Sequence, residues 1–275
     1  MLRLSLPMRI IVFAALILYV LIVVTPFGMV FMNSFKNMRE IYQRPFSLPE
    51  IFRFENYERA WTSARLGQAY LNSIFVTSTS IAGILIVSSM LAFMLSRFRF
   101  RFRKLLYMYI IMGLALPARL AIIPIYVILT RMGLVDTHLG LIIVYIATGI
   151  SFATFLLKRF MDDIPKELEE SAVIDGATPR TIFFRIALPL TAPGMVVVGL
   201  VNFVSVWNDF FFPFIIITNR ARYTMPLAIS GFFGEFSNRW DLIAAALSLG
   251  VIPIMIIFFF FSKYFITGMT QGALK

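Results

Sequence analysis

The chain has 275 residues, of which 60% are hydrophobic and only 14% are charged. Soluble domains carry nearer a quarter of charged residues, so a soluble core of this length would leave much Phe, Ile, Leu and Val exposed. Several apolar runs of about 20 residues are each long enough to cross the ~30 Å hydrocarbon layer of a bilayer. The composition therefore excludes an ordinary soluble domain and predicts an all-α, polytopic membrane protein.

Residue usage also restricts the chemistry. The sequence has no Cys and a single His, His138, which excludes disulfides and thiolate chemistry and leaves little for a metal site. The net charge of +11 would indicate nucleic acid in a soluble protein. In a membrane protein basic residues hold cytoplasmic loops in place, so we expect neither a nucleic-acid partner nor a bound metal.

The apolar runs predict six transmembrane helices in one transmembrane domain that spans residues 1–275. A signal peptide is the competing interpretation of the first run, but that run is too long for a signal core and no small-residue cleavage site follows it. The basic loop 97–104 contains no acid and indicates a cytoplasmic location, beside anionic lipid, with both termini also cytoplasmic. The predicted helices cover about 10–32, 71–95, 105–130, 139–160, 190–218 and 242–265.

Three polar residues within the apolar runs are candidates for a pore or substrate path. Arg119 would cost a few kcal/mol in lipid, so it should face a pore or a partner subunit, or lie nearer the outer end of its helix. The nearby Pro117 predicts a kink or break there. Asp209, which follows Asn208, could cap a broken half-helix, face the path, or anchor the chain at the outer interface. The length of its apolar run favours the interface.

A charged stretch, 164–188, separates two apolar blocks and predicts two short helices at the cytoplasmic membrane face. Asp162 or Asp163 is expected to cap the first helix, which has a proline in its first turn. Gly176 is expected to end that helix at positive φ, and Thr178-Pro179 begins the second helix. The acidic residues of this stretch argue against an amphipathic helix that simply lies on the membrane, because the inner leaflet is itself negative. The stretch therefore predicts a lever that inserts into a groove of another protein.

The spacing of Glu170-Ser171-Ala172, Gly176, Ile186 and Leu188-Pro189 resembles the EAA loop of binding-protein-dependent ABC importer permeases. The wider sequence is similar to the carbohydrate branch of that family, above all to the six-helix subunit of the maltose-type permease pair. Ser171 departs from the alanine usual in the family, but serine is small enough to fit. The further stretches that carry this similarity are Pro26 to Lys36, Asn56-Tyr57, Leu71-Asn72-Ser73, Trp207-Asn208-Asp209, Thr267-Gly268-Met269 and Gly272-Ala273.

The resemblance implies a permease fold with a cytoplasmic coupling helix, and several partners. These are a second permease in a heterodimer, two ATPase subunits, an extracytoplasmic solute-binding protein and a sugar substrate, in a bacterial or archaeal cytoplasmic membrane. The tail 268–275 would lie near the ATPase pair. The docking residues implied by the family are Leu168, Glu170, Ser171, Ala172, Asp175, Gly176 and Ala177.

The chain itself is not expected to be an enzyme, because it contains no G-x-x-x-x-G-K-[ST] phosphate loop. ATP and Mg²⁺ would be bound by the partner ATPase, and this chain needs no cofactor of its own. The leading interpretation is thus a sugar or oligosaccharide importer permease. An ABC permease for a non-sugar solute stays open. An ion-coupled transporter is a lesser alternative, because the apolar runs contain one marginal acid, Asp209, no histidine and no obvious repeat. An intramembrane enzyme would need a nucleophile with a base or metal ligands in facing helices, and the carboxylates lie mostly in loops.

Overall fold

The computed structural model describes residues 5–233 and 239–273, with side chains described up to residue 260. Every regular element within those residues is a helix, as the composition predicted. The helices are α1 (Leu6–Asn33), α2 (Met38–Gln43), α3 (Glu55–Ser63), α4 (Leu66–Arg97), α5 (Arg103–Ala115), α6 (Ile122–Arg131), α7 (His138–Asp162), α8 (Lys166–Ile174), α9 (Pro179–Ile182), α10 (Leu188–Leu190), α11 (Ala192–Trp207), α12 (Phe211–Ile216), α13 (Met225–Ser230) and α14 (Trp240–Ala273).

Two compact units make up the described chain. One contains the described residues up to Gly67 together with those of Ala228–Ile252, and the other contains Gln68–Leu227 with the described residues from Pro253 onward. In the described chain four helices are long and apolar enough to span a membrane, namely α1, α4, α7 and the first part of α14. The count rises to at most six if each of two bent helix pairs forms one span.

The first bent pair is the predicted helix 105–130. The structure breaks it between α5 and α6, and the chain turns through 93° there. Leu116 has extended backbone with ψ 116°, because a residue that precedes proline is disfavoured in the α conformation. Pro117 therefore produces the break that the sequence indicated, and a turn of 3₁₀ helix (Ala118–Ala121) leads into α6.

The predicted helix 190–218 is not continuous. A bend of 69° separates Pro179–Leu190 from α11, and α11 ends at Trp207 before α12 resumes at Phe211. A turn of π helix (Phe183–Ala187) precedes Pro189, which has no N–H to donate to the carbonyl four residues earlier. Pro213 likewise cannot donate to the carbonyl of Asp209, so the helix breaks between α11 and α12. The predicted helix continued across this second break, which the sequence raised only as one alternative at Asp209, because the run remains apolar through Phe210–Phe214.

α7 supports two separate hydrophobic clusters in the larger unit. Its N-terminal half packs Leu141 and Tyr145 with Phe212 and Ile216. Its C-terminal half packs Leu157 and Met161, both fully buried, with residues of α4 and the π-helical turn. The first cluster lies beneath the break that contains Asp209, and the second lies beneath α8.

In the smaller unit, the segment after α1 is folded around buried polar groups. The fully buried ammonium of Lys36 donates to the carbonyls of Arg44, at 2.9 Å, and Pro45, at 3.2 Å. The buried Asn56 carboxamide donates to the carbonyls of Ser34 and Lys36, each at 2.9 Å. Asn56 therefore fixes this loop through backbone acceptors, and the Tyr57 hydroxyl lies 2.7 Å from Ser34 Oγ. α1 itself has no buried residue.

Candidate coupling helix and polar cluster

α8 begins without the side-chain cap that the sequence predicted. Its N-cap is Pro165, which makes no side-chain capping bond, so the expected cap by Asp162 or Asp163 is wrong. Asp163 instead forms the C-cap of α7, and Asp162 binds the ammonium of Lys158 at 2.5 Å. The acids in the first turn of α8 compensate in part, because negative charge is favourable at a helix N-terminus.

The C-terminus of α8 has the geometry that the sequence predicted. Gly176 adopts φ +82° and its N–H donates to the carbonyl of Val173 at 3.0 Å. The N–H of Ala177 donates to the carbonyl of Ala172 at 2.9 Å. These two bonds form a Schellman motif, which satisfies carbonyls at the helix end and reverses the chain sharply. The Thr178 hydroxyl then accepts the Thr181 N–H and caps α9, as predicted.

One side of α8 packs against the chain and the other side is exposed. Ala172 and Ala177 contact the hydrophobic cluster beneath the helix. Leu168 is 49% exposed and Ile174 is 86% exposed. The exposed predicted docking residues are Leu168, Glu170, Ser171, Asp175 and Gly176, and Ala172 and Ala177 are half-buried.

Two features of this surface were missed by sequence reasoning. Val173 and Ile174 are exposed apolar side chains on an otherwise polar helix, and that contrast was visible in the sequence. The Ser171 hydroxyl donates to the carbonyl of Glu167 at 2.8 Å, within the helix. Serine in place of alanine therefore brings no unpaired hydroxyl donor to the surface of α8.

An ion pair fastens α8 to the end of α4. Arg97 Nε lies 2.6 and 2.8 Å from the two carboxylate oxygens of Glu169, and both side chains are nearly buried. The same guanidinium donates from Nη2 to the carbonyls of Met161, at 2.8 Å, and Ile164, at 3.4 Å. Arg97 thus joins α4, the end of α7 and α8. No local pattern could have found a pair 72 positions apart.

Asp209 is the centre of a polar cluster between helices. It is buried, and its Oδ2 accepts the Tyr145 hydroxyl at 2.9 Å and the Phe212 N–H at 3.1 Å. The carboxylate therefore satisfies an N–H in the first turn of α12, whose N-cap is Phe210, and this agrees with the half-helix cap among the three alternatives that the sequence left open. The interface anchor that the run length favoured stays a prediction. Asn208 is exposed, and its carboxamide donates to the carbonyl of Val204 at 3.0 Å.

Arg119 completes this cluster from the break between α5 and α6. Its Nη2 lies 3.5 Å from Asp209 Oδ1, and its guanidinium lies 5.5 Å from the ring centre of Phe211. The Arg119 side chain is 69% exposed. The 13 residues of α5 rise about 20 Å, so the break lies within the thickness of a bilayer if α5 runs along the membrane normal. The structure thus brings Arg119 and Asp209 together at two helix breaks.

At the other end of α4, backbone and side-chain bonds hold the loop that precedes α13. Asn72 donates to the carbonyls of Ala221, at 2.8 Å, and Tyr223, at 3.0 Å. Asp136, at φ 57°, accepts the backbone N–H groups of Thr218 and Asn219, each at 2.9 Å. His138 Nε2 lies 3.0 Å from the carbonyl of Arg222, which makes it a structural histidine at the start of α7.

The bonds to Asp136 set its acidity. The Asn219 N–H lowers the pKa of the Asp136 carboxyl, and this effect outweighs the partial burial that would raise it. The Thr218 N–H and the Arg222 guanidinium, whose Nη1 is 2.8 Å from Asp136 Oδ2, act in the same direction. This carboxylate therefore holds the loop most firmly when it is ionised.

The described residues contain no group of three or more His, Asp or Glu side chains that could hold a metal ion. Arg119 and Asp209 instead meet at two helix breaks, and α8 presents an exposed surface at one end of α4 and α7. Broken helices around a polar cluster, in a chain with several apolar spans, are typical of membrane transport proteins. Comparison with known proteins identifies which kind.

Residues 84–271 match the family described as the binding-protein-dependent transport system inner membrane component, and the chain belongs to that family. It is 34% identical over 264 residues to the diacetylchitobiose uptake system permease protein NgcG of Streptomyces coelicolor, covering 95% of this chain and 87% of that protein. It is 32% identical over 251 residues to the melibiose/raffinose/stachyose import permease protein MelC of Bacillus subtilis, covering 91% of each chain.

A solved structure has the same fold. A chain of a bacterial ABC transporter involved in the import of the acidic polysaccharide alginate superposes with a TM-score of 0.84 and is 24% identical, covering 95% of this chain and 99% of that one. The resemblance inferred from the EAA-type spacing is therefore confirmed. The chain is a membrane-embedded ABC permease, a channel component rather than an enzyme.

Proposed function

We propose that this chain is one subunit of a permease pair that imports a sugar or oligosaccharide across the cytoplasmic membrane. The names of its relatives support a saccharide substrate, because these relatives include permeases for diacetylchitobiose and for melibiose, raffinose and stachyose. The partners are a second, different permease, two ATPase subunits that bind ATP and Mg²⁺, and an extracytoplasmic solute-binding protein. Both termini lie in the cytoplasm, and residues 1–275 form one transmembrane domain.

The exposed surface of α8 is the observation that carries this proposal. Leu168, Val173 and Ile174 expose apolar area beside Glu170, a pattern that suits insertion into a cleft of another protein. α8 itself is held to α4 by the Arg97–Glu169 ion pair. A push on α8 by a closing ATPase would therefore pass directly to α4, and through Ala172 to the cluster around α7.

The ends of α8 suit this role. The Schellman motif at Gly176 fixes the angle between α8 and α9, and the Thr178 cap fixes the start of α9. A rigid element transmits displacement, whereas a loose loop would absorb it. Ser171 keeps its hydroxyl bonded within the helix, so we expect it to replace the usual alanine without loss of docking.

The polar cluster at the helix breaks is our candidate for part of the substrate path. Arg119 is held on one side by Asp209 and leaves most of its guanidinium exposed. Guanidinium and carboxamide groups such as those of Arg119 and Asn208 donate hydrogen bonds to sugar hydroxyls, and Phe211 provides an apolar ring for a sugar face. Asp209 positions Arg119 rather than facing the solute.

The docking proposal is tested by Glu170→Trp, which adds bulk to an exposed position of α8 without touching the cluster beneath it. The variant should insert into membranes as the wild type does but fail to co-purify with the ATPase subunits. Arg159→Trp, at an exposed position outside α8, is the matched control and should co-purify normally. If Glu170→Trp co-purified with the ATPase subunits as the wild type does, the docking assignment would be wrong.

The orientation is testable on a clean background because the chain has no cysteine. Phe100→Cys and Glu170→Cys should be shielded from a membrane-impermeant thiol reagent added to intact cells, whereas Glu55→Cys should react. The reverse labelling pattern would overturn the cytoplasmic placement of α8. It would do so whichever solute is carried.

For the substrate path, Arg119→Ala should lower saccharide uptake at least about tenfold while the transporter still assembles. Leu120→Ala is the matched control, because Leu120 is the neighbouring side chain and is 80% exposed. Uptake that is equally unaffected by both changes would remove Arg119 from the path.

A further inference from the structure

The loop between α4 and α5 lies at a membrane surface whichever way the chain is oriented. α4 is long and apolar enough to span a bilayer, and α5 begins the first bent pair that passes the same test. Residues 98–102, which join them, therefore lie at a headgroup layer. This placement depends only on the lengths and composition of the two flanking helices.

Basic side chains in and beside this loop converge on one concave surface. Arg99, Arg101, Arg103 and Lys104 line an open pocket of about 480 Å³ together with Lys158 of α7. Arg103 is half-buried, and these four basic residues, two in the loop and two at the start of α5, form no ion pair with any acidic side chain that the structure describes. A cytoplasmic loop needs basic residues to fix the orientation of the chain. That need does not explain why these residues share a pocket with Lys158, which lies 54 or more positions later in the chain.

The same pocket has apolar and aromatic walls. Leu95, Phe100 and Tyr107 contribute to its lining. The ammonium of Lys158 lies 5.1 Å from the ring centre of Tyr107 and also binds Asp162 at 2.5 Å. Leu95 is fully buried behind this lining, so the accessible apolar surface comes from the aromatic rings. Cations beside these rings offer both a phosphate-binding and an acyl-binding surface.

From this convergence we infer that the pocket is a binding site for the headgroup of an anionic phospholipid. The guanidinium groups would donate paired hydrogen bonds to phosphate oxygens, and the first acyl carbons would lie along Phe100, whose side chain is exposed. A soluble phosphate ester would use only the cations. The apolar walls and the position between two spans favour the lipid. Such a lipid would brace α4 against α5 and α7, one turn from the Arg97 contact with α8.

The test is native mass spectrometry of the assembled transporter, titrated with tetraoleoyl cardiolipin and separately with dioleoyl phosphatidylcholine. The wild type should bind one cardiolipin more tightly than the zwitterionic lipid. Arg101→Gln combined with Lys104→Gln should weaken cardiolipin binding about 25-fold, or about fivefold for each charge removed. Arg101→Lys combined with Lys104→Arg keeps both charges and should retain binding.

Arg39→Gln combined with Arg131→Gln is the matched control, since it removes two charges from exposed positions elsewhere in the chain. Equal weakening by the control pair, or none by the loop pair, would overturn the site. Glycerol 3-phosphate that competes as strongly as cardiolipin would overturn the lipid assignment in favour of a soluble phosphate. Loss of a protein subunit from the loop variant, with unchanged cardiolipin binding, would make the patch a protein contact.

Discussion

Replacement of Glu169 by Gln tests whether α8 is held to α4 by the ion pair. The change preserves the shape of the side chain but removes the charge opposite Arg97, whose Nε lies 2.6 and 2.8 Å from the two carboxylate oxygens. Breaking a buried pair costs about 3–5 kcal/mol, because the remaining charge stays buried without compensation. The two side chains are 11% and 12% exposed, so residual hydration places the expected cost near the lower value, ~3 kcal/mol.

Amide hydrogen exchange measures that cost where it arises. With ~3 kcal/mol less stability, local opening of α8 should become on the order of 100-fold more frequent, since 1.4 kcal/mol is a factor of ten. The experiment uses the full-length chain in detergent without the ATPase, so that docking does not protect the helix. We expect the amides of residues 170–174 to exchange faster by this factor in Glu169→Gln.

Glu170→Gln is the matched control. Glu170 is exposed and forms no ion pair in the described chain, so its replacement should change exchange by no more than about twofold. Exchange of α8 in Glu169→Gln within that same twofold would refute the argument that Arg97 holds the helix. The coupling path through α4 would then have to be abandoned.

Three further predictions concern other parts of the account. Gly176→Ala should destabilise the end of α8 by about 1–2 kcal/mol, because Gly176 has a φ of +82° that alanine adopts only with strain. Gly176→Asn should destabilise it by less, and hydrogen exchange of the Ala177 amide measures both effects. Equal effects of the two changes would contradict this explanation. Asp209→Ala leaves the Tyr145 hydroxyl unpaired and should cost about 2–4 kcal/mol, seen as a lower thermal midpoint, whereas Asn208→Ala should be nearly silent. The ionised Asp136 carboxylate should stabilise the fold above its unfolded-state pKa, and this contribution should be lost as the pH falls through its lowered native pKa, below about pH 4. Asp136→Asn should therefore make the thermal midpoint less dependent on pH in that range. A pH dependence equal to that of the wild type would show that this carboxylate does not contribute.

The spans were predictable because their signal is simple. A run of about 20 apolar residues has few alternatives to a membrane helix, so the ranges 71–95 and 139–160 lie inside α4 and α7. Pro117 also marked its break correctly. The second break was harder to predict, because Asn208 and Asp209 interrupt an apolar run only briefly. The proline responsible, Pro213, also lies four residues after Asp209, the residue whose carbonyl it leaves without a helical donor. The predicted helix 242–265 lies inside α14, and of the predicted tail residues, 274–275 lie outside the described part of the chain.

The capping residues of the coupling element could be predicted from the sequence, but its contacts with distant segments could not. Gly176 and Thr178 act through hydrogen bonds to neighbours within five positions, and residue types at such short spacings predict these bonds. The predicted cap by Asp162 or Asp163 was wrong because α7 continues to Asp162. Asp162 is paired with Lys158 there, and Asp163 is the C-cap of α7. The Arg97–Glu169 pair joins segments that only the folded chain brings together. The number of spans, the domain organisation and the orientation remain predictions.

The central claim is that energy enters this permease through the exposed surface of α8. It is tested most directly by Ile174→Asp, at the most exposed apolar position of that helix, in proteoliposomes that contain the complete transporter. A carboxylate buried unpaired in an apolar cleft should lower ATP hydrolysis stimulated by the loaded binding protein at least about 30-fold, while Leu48→Asp, exposed in the other unit, should leave it unchanged. Stimulated hydrolysis by Ile174→Asp at the wild-type rate would contradict the claim.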